Sequence, residues 1–130
     1  MQVLIVDDSK VMRRVIARAL HDSELLIEEI AEASNGKEAL DCIAARRGGR
    51  TFDVVLCDMN MPVMDGLTFV QELNALDPTG APPVLMVTTE VNEGQVLRAR
   101  AAGVRGYICK PFTPEQVKQR VSLLLAQQAG

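Results

Sequence analysis

The chain has 130 residues, of which 48% are hydrophobic and 24% charged, and its formal net charge at pH 7 is -3. A chain of this length and composition can bury one core without disulfides or a structural metal, so we expect a single domain spanning residues 1–130. The small acidic excess offers no basic surface for a phosphate backbone, which argues against nucleic acid as a partner.

The three cysteines, Cys42, Cys57 and Cys109, include no closely spaced pair, and the last two lie in apolar runs. We therefore expect reduced, buried thiols. Asp7 and Asp8 interrupt the apolar stretch at the start of the chain too early for a signal peptide or a membrane span. These features predict a cytoplasmic protein that does not associate with a membrane.

Apolar runs and amphipathic segments alternate along the chain. The predicted elements, in chain order, are a strand at 2–6, a helix at 9–21, a weaker strand at 28–33, a helix at 36–46, a strand at 53–57, a helix from 65 to 76, a strand at 83–88, a helix from 92 to 103, a strand at 106–109 and a helix from 113 to about 126. The strong strand runs lack period-two alternation, which is typical of strands buried on both faces, whereas the polar strand at 28–33 fits a sheet edge. Five strands alternating with five helices predict an α/β fold, a five-stranded parallel sheet flanked by helices on both faces.

Two helices carry clear apolar faces. The residues expected on these buried faces are Met12, Val15, Ile16, Ala19 and Leu20 in the first helix, and Phe69, Val70, Leu73 and Leu76 in the third. The charged residues expected to point away from the core in the first helix are Lys10, Arg13, Arg14 and Arg18. Ser9 is a suitable N-cap for the first helix, and Thr113 opens a capping box for the last.

Polar residues stand at the ends of four of the predicted strands. Asp7 and Asp8 follow the first strand, Asp58 follows the third, Thr88 ends the fourth and Lys110 follows the fifth. In an open parallel sheet, ligands bind outside the carboxyl ends of the strands, so these side chains are expected to share one site. Neighbouring carboxylates repel one another unless a cation offsets their charge, and Mg²⁺ prefers an all-oxygen set of ligands. The pattern predicts a magnesium site at this edge of the sheet.

Each of these residues taken alone has an ordinary interpretation as a helix cap, a loop residue or a solvated charge, and only their coincidence at strand ends favours a site. Zinc is disfavoured because the only histidine, His21, lies at the end of the first helix, and no cysteine cluster is present. An aspartate beside Mg²⁺ can attack phosphorus while a lysine and a hydroxyl share the charge of the phosphoryl oxygens. Asp58, Lys110 and Thr88 could take those three roles.

Four motifs resemble the response-regulator receiver family in their order and context. They are VDDS at 6–9, CDMNMPVMDG at 57–66, VT at 87–88 and KPF at 110–112. The resemblance covers nearly the whole chain and implies the (βα)5 flavodoxin-like receiver fold. It also leaves no room within this length for a separate output domain.

The resemblance makes Asp58 the phosphoryl acceptor. It implies that Asp8 and Asp58 bind Mg²⁺ directly, that the backbone carbonyl of Asn60 is a third ligand, and that Asp7 acts through water. In the same family the bond corresponding to Lys110–Pro111 is cis, so we expect a cis bond here, although only about 5% of X–Pro bonds in folded proteins are cis.

The resemblance also implies a switch. Lys110 would pair with the acidic cluster and then with the phosphoryl oxygens, and Thr88 would hydrogen-bond the phosphoryl group. Tyr107 matches the aromatic switch residue that rotates inward when Thr88 moves, although a half-buried strand tyrosine is an equally ordinary interpretation. The fourth helix offers few large apolar side chains beyond Val96 and Leu97, so we expect it to be held loosely.

Within the family, the chain is most similar to the single-domain chemotaxis members. The segments that carry this similarity are MRR at 12–14, NMP at 60–62, VLMVT at 84–88 and GY at 106–107. Asn60 and Glu90 match a pair seen in fast-resetting chemotaxis receivers. Thr89 departs from the alanine or glycine that many receivers carry, and its added bulk bears on the rates of phosphoryl transfer and hydrolysis.

The function implied is a monomeric, phosphorylation-activated switch of a two-component chemotaxis system. Its partners would be a chemotaxis-type sensor histidine kinase and the flagellar motor switch protein. A phosphorelay intermediate and a regulator that docks on another protein remain open alternatives. The chain is not expected to be an enzyme beyond its own phosphorylation and dephosphorylation. A Mg²⁺-dependent phosphatase of the haloacid dehalogenase type is disfavoured, because such enzymes need an Asp-x-Asp pair on the first strand.

Overall fold

The computed structural model describes residues 1–89 and 92–129, and these alternate between strands and helices. The strands are β1 Gln2–Val6, β2 Glu29–Ala33, β3 Val54–Asp58, β4 Val84–Thr88 and β5 Gly106–Cys109, and the helices are α1 Lys10–Asp22, α2 Gly36–Ala44, α3 Gly66–Leu76, α4 Glu93–Ala102 and α5 Pro114–Ala129. All strand pairs are parallel, in the order β2-β1-β3-β4-β5. The predicted α/β class and the edge position of β2 are therefore confirmed.

The core has two halves, one on each face of the sheet. Val3 and Ile5 of β1 point toward α1 and α5, while Leu4 and Val6 point toward α2, α3 and α4. All four side chains are fully buried, because successive strand residues point to opposite faces and both faces are covered. This double burial accounts for the apolar runs without alternation.

The N-terminal ends of the helices are closed by side chains that the sequence places there. In the first four helices, the N-cap side chain accepts a hydrogen bond from the backbone N–H three residues later; these N-caps are Ser9, Asn35, Asp65 and Asn92. At α5 the Thr113 hydroxyl accepts from the Gln116 N–H, and the Gln116 side chain accepts from the Thr113 N–H. The predicted capping box is thus present.

The carboxyl end of α4 is tied firmly to α3. Gly103 takes a left-handed conformation with a φ of 107°, and its N–H donates to the carbonyls of Ala99 and Arg100. The Asn74 side chain of α3 donates to the Ala102 carbonyl at 3.2 Å. The positive φ favours glycine at position 103, and a Cβ there would lie 2.2 Å from the Asn74 amide nitrogen, so the Asn74 side chain would have to move.

Several expectations about burial and element length were wrong. Val15 is 46% exposed and Leu76 is 61% exposed, because the buried stripe of α1 is narrower than its apolar pattern and Leu76 is the last residue of α3. Cys57 is buried as expected, whereas Cys42 is half-buried and Cys109 is exposed at the end of the edge strand β5. α2 ends two residues early, and α5 continues three residues further than predicted.

The basic loop after α2 packs against the edge strand β2. Arg46 pairs with Glu29 and lies over the ring of the buried Phe52, 4.1 Å from its centroid. Arg50 binds both carboxylate oxygens of Glu28. These ion pairs offset the charges of the acidic residues at the start of β2 and just before it.

Candidate functional site

Three carboxylates meet at the carboxyl end of the sheet, where the strand-end pattern places them. Asp7 and Asp8 follow β1, and Asp58 is the last residue of the adjacent strand β3. One oxygen from each side chain lies within 4.8 Å of the others. Asp8 is exposed, Asp58 is half-buried and Asp7 is buried, so the cluster opens to solvent on the Asp8 side.

The Lys110 ammonium reaches into this cluster from the end of β5. Its Nζ lies 3.5 Å from Asp58 Oδ1 and 3.6 Å from Asp7 Oδ2. The Lys110 backbone N–H donates to the Thr88 carbonyl at 2.7 Å, which ties the lysine to the end of β4. The Lys110–Pro111 bond is cis, as predicted. One ammonium therefore contacts two of the three carboxylates.

Asp7 is the most constrained of the three acids. Its side chain accepts a hydrogen bond from the Ser9 N–H at 2.9 Å through Oδ1, whereas the buried Oδ2 has no hydrogen-bond partner among the described residues. Burial, with the nearby charge of Asp58, raises the pKa of Asp7, although the Ser9 N–H and Lys110 partly oppose the shift. A buried carboxylate oxygen that lacks a hydrogen bond, beside two further carboxylates, is what a divalent cation would satisfy, so the residues present fit Mg²⁺.

The pH dependence of the unfolding free energy should report the cost of burying the ionised Asp7 carboxylate. Because its folded pKa lies above the unfolded value, ionisation disfavours folding, and stability should fall as pH rises from the unfolded pKa through the raised pKa. We expect Asp7→Asn to raise the unfolding free energy at pH 7 without metal by about 1 kcal/mol, because the desolvated anion is removed. Urea denaturation in EDTA at a series of pH values measures this. An Asp7→Asn protein less stable than wild type at pH 7 would contradict the prediction.

The backbone after β3 fixes the Asp58 carboxylate. The Met59 N–H donates to Asp58 Oδ1 at 2.9 Å, the same oxygen that Lys110 approaches. The Gly66 N–H, at the start of α3, donates to the Met59 carbonyl at 2.8 Å and closes the loop. Burial raises the pKa of the neighbouring Cys57 thiol far above its usual range, so this cysteine stays protonated and inert.

The remaining predicted site residues lie around this cluster. Asn60 and Thr89 are exposed, while Thr88 is buried at the end of β4. Tyr107 is half-buried and donates its hydroxyl to the Gln95 carbonyl of α4 at 3.3 Å. Glu90 lies outside the described residues.

Thr88 and Tyr107 are close along the sheet. Thr88 is paired in register with Cys109, and Tyr107 stands two residues earlier on the same strand. Residues two apart on a strand point to the same face, so Tyr107 and the residue paired with Thr88 share the face that α4 covers. This placement is compatible with the predicted coupling of the two side chains.

Arg13 is a site residue that the sequence analysis missed. It was expected to point away from the core into solvent, but its Nη1 donates to the Asp7 backbone carbonyl at 2.8 Å and its Nε to Glu32 at 2.8 Å. The amphipathic pattern of α1 places Arg13 on the polar face, as observed, but carries no information about a backbone acceptor in the preceding loop.

An apolar groove of about 360 Å³ lies next to Lys110. Met12 and Val15 of α1 form one wall, and Pro111 and Phe112 form the other. Val11, one residue before this wall, is 70% exposed. An apolar surface beside a charged site suits contact with a protein partner.

Among the helices that the structure describes, none combines the length and the hydropathy that crossing a membrane requires.

Comparisons with known proteins identify the family of the chain. A model of the response regulator receiver domain matches residues 3–122. The chain is 39% identical over 125 residues to the chemotaxis protein CheY1 of Helicobacter pylori, covering 96% of this chain and 97% of that protein. It is 37% identical to the chemotaxis protein CheY of Pseudomonas aeruginosa over 130 residues, the whole of both chains. The crystallised CheY4 of Vibrio cholerae superposes with a TM-score of 0.81 at 34% identity, covering 95% of this chain and 97% of that chain.

The matches span nearly the whole chain, and the solved relative shares the five-stranded, flavodoxin-like architecture. Members of this family are signalling switches rather than conventional enzymes. The chain therefore belongs to the response regulator receiver domain family, within which it is similar to the CheY proteins of chemotaxis-type two-component signalling.

Proposed function

We propose that this protein is switched on when Asp58 accepts a phosphoryl group from a chemotaxis-type sensor histidine kinase. The observation that carries the proposal is the convergence of the Asp58 carboxylate, the Lys110 ammonium and two further carboxylates at one open edge of the sheet. A nucleophilic carboxylate needs cationic partners for the incoming phosphoryl oxygens, and both Lys110 and a divalent ion can supply positive charge there.

The two oxygens of Asp58 have different surroundings. Oδ1 accepts the Met59 N–H and faces Lys110, whereas no hydrogen bond reaches Oδ2 from residues 1–89 or 92–129. Oδ2 is therefore the proposed nucleophile. It forms a bond to phosphorus as the phosphorus–nitrogen bond of a phosphohistidine breaks, and the imidazole leaves with the electron pair.

The proposed Mg²⁺ ligands are Asp8, Asp58 and the Asn60 backbone carbonyl, with Asp7 acting through water. When bound, the ion supplies positive charge that offsets the carboxylates and the phosphoryl oxygens. Lys110 would hold one of the phosphoryl oxygens, and the Thr88 hydroxyl would donate a hydrogen bond to another. A partner seated in the groove beside Phe112 would bring its phosphohistidine to the open side of the cluster.

The proposal is tested by the requirement for metal. Wild-type protein incubated with acetyl phosphate or with a phosphorylated kinase domain should gain one base-labile phosphoryl group in Mg²⁺, as read by intact mass. The same incubation in EDTA should give little or none. Equal labelling with and without Mg²⁺ would contradict the metal assignment, and no labelling with either donor would contradict the receiver function of this site.

We further propose that the output is binding to the flagellar motor switch protein, through the surface made by α4, β5 and α5. The Tyr107 hydroxyl donates to the Gln95 carbonyl of α4 at 3.3 Å, and Ala99 and Ala102 are the buried residues of α4. So small a buried surface provides little free energy against a shift of α4. Movement of Thr88 toward the phosphoryl group would give Tyr107 room to turn inward.

Thr88→Ala should weaken this coupling. We expect activation with beryllofluoride to tighten binding of a motor-switch N-terminal peptide to wild type by about 5- to 150-fold, and Thr88→Ala to lose most of that gain. Fluorescence anisotropy of the labelled peptide measures both states, and Thr79→Ala, in an exposed loop, is the matched control. Equal affinity of resting and activated wild type would contradict the motor role and leave phosphorelay as the alternative.

A further inference from the structure

The Asp7–Asp8 segment is held in place from the edge strand β2. The Asp7 N–H donates to the Ala33 carbonyl at 3.1 Å, and the Asp7 carbonyl accepts from Arg13 Nη1 at 2.8 Å. Arg13 is itself held by Glu32, the neighbour of Ala33, through its Nε at 2.8 Å. Both backbone polar groups of Asp7 thus depend on two consecutive residues of β2, one directly and one through Arg13.

The hydrogen bond from Arg13 Nη1 to the Asp7 carbonyl fixes the peptide plane between Asp7 and Asp8. The Asp7 side chain has its own anchor in the Ser9 N–H. In the part of the chain that the structure describes, no hydrogen bond or ion pair reaches the Asp8 carboxylate. The direction of the Asp8 Cα–Cβ bond therefore depends on the backbone, which Arg13 holds at the preceding carbonyl.

We infer that the Arg13–Glu32 pair is a positioning device for the metal ligand Asp8, although neither side chain is a ligand in the proposed site. The inference rests on the proposed Mg²⁺ function of the cluster. The Arg13 side chain is 15% exposed and bridges two acceptors. The rigid, planar guanidinium can thereby hold the two acceptors in a fixed arrangement. Groups that orient metal ligands commonly change metal affinity by about 10- to 100-fold when they are removed.

Charge and geometry make opposite predictions for Arg13. If Arg13 acted only through its charge, its removal would make the acidic cluster more negative and tighten Mg²⁺ binding. If Arg13 orients Asp8, its removal must weaken Mg²⁺ binding despite the more favourable charge. The sign of the change in Mg²⁺ affinity therefore distinguishes the charge effect from the positioning effect.

The experiment is a Mg²⁺ titration of metal-free protein by calorimetry, in wild type, Arg13→Gln and Arg14→Gln. We expect Arg13→Gln to weaken the affinity about tenfold. Arg14→Gln makes the same change of charge at an exposed neighbour and should leave the affinity unchanged or slightly tighter. Unchanged or tighter binding by Arg13→Gln would overturn the inference.

A second pair of variants tests the link to β2 without touching α1. Glu32→Gln should weaken Mg²⁺ binding severalfold and shift the Asp8 amide resonance in the metal-free protein, because a neutral amide holds the Arg13 guanidinium less strongly than the carboxylate does. Glu29→Gln, on the same strand but paired with Arg46, makes the same change of charge and should do neither. If Arg13→Gln does not fold, the Glu32→Gln result decides, and wild-type affinity in Glu32→Gln overturns the inference. A wild type that binds no Mg²⁺ would contradict the proposed function itself.

Discussion

Asp58→Asn is expected to abolish phosphorylation while leaving the protein folded. The asparagine side chain can still accept the Met59 N–H, so the local backbone should persist, but an amide is far too weak a nucleophile to attack phosphorus. Intact mass after incubation with acetyl phosphate and Mg²⁺ should show no phosphoryl group. Thermal unfolding of the same sample should remain cooperative.

Asp22→Asn, which changes an exposed acid at the end of α1, is the matched control and should be labelled like wild type. Peptide mapping of labelled wild type should place the group on Asp58. A base-labile phosphoryl group found on Asp7 or Asp8 would show that the acceptor has been assigned to the wrong carboxylate.

Gly66→Ala is expected to damage both stability and the site. A Cβ at this position would lie 2.5 Å from the Asp58 backbone carbonyl oxygen and 3.1 Å from the Met59 Cα, contacts that only a shift of the backbone can relieve. Overpacking of this kind costs about 1–3 kcal/mol. Because the displaced atoms belong to the acceptor residue, the initial rate of phosphorylation should fall further than the loss of folded protein explains.

Urea denaturation and labelling rates measure the two effects. Gly94→Ala provides the contrast, because a Cβ there meets no atom closer than 3.6 Å and alanine favours the helix by up to about 1 kcal/mol. A Gly66→Ala protein with wild-type stability and labelling rate would show that the end of β3 can move without consequence.

The fold and the main site residues follow from patterns that the sequence displays directly. Apolar runs without alternation predict buried parallel strands, and in such a sheet the residue after each run lies at one shared edge. Asp7, Asp8, Asp58 and Lys110 lie together at that edge, as this pattern predicts. The assignment of their roles came from the family resemblance, and it stays a prediction until labelling and metal titration are done.

What the sequence could not predict depends on backbone atoms and on the edges of buried surfaces. Arg13 binds a carbonyl oxygen, a group that every residue carries, so no residue type marks the acceptor. The requirement for glycine at position 66 comes from an approach to the Asp58 carbonyl across a loop. Val15 and Cys109 are apolar residues at the margins of the core, where hydropathy does not distinguish covered from exposed positions.

The hydrogen bond from the Asn74 side chain to the Ala102 carbonyl anchors one end of α4, so we expect any movement of the helix to pivot at that end. A ten-residue helix is about 15 Å long. A rotation of about 10° around the Ala102 end would therefore displace the Asn92 end by about 2.6 Å and leave the Ala102 end in place. Gln95, whose carbonyl accepts the hydrogen bond from the Tyr107 hydroxyl, lies near the end that would move. A spin label on exposed Glu93 should therefore report activation, whereas the same label on exposed Ala101 should barely register it.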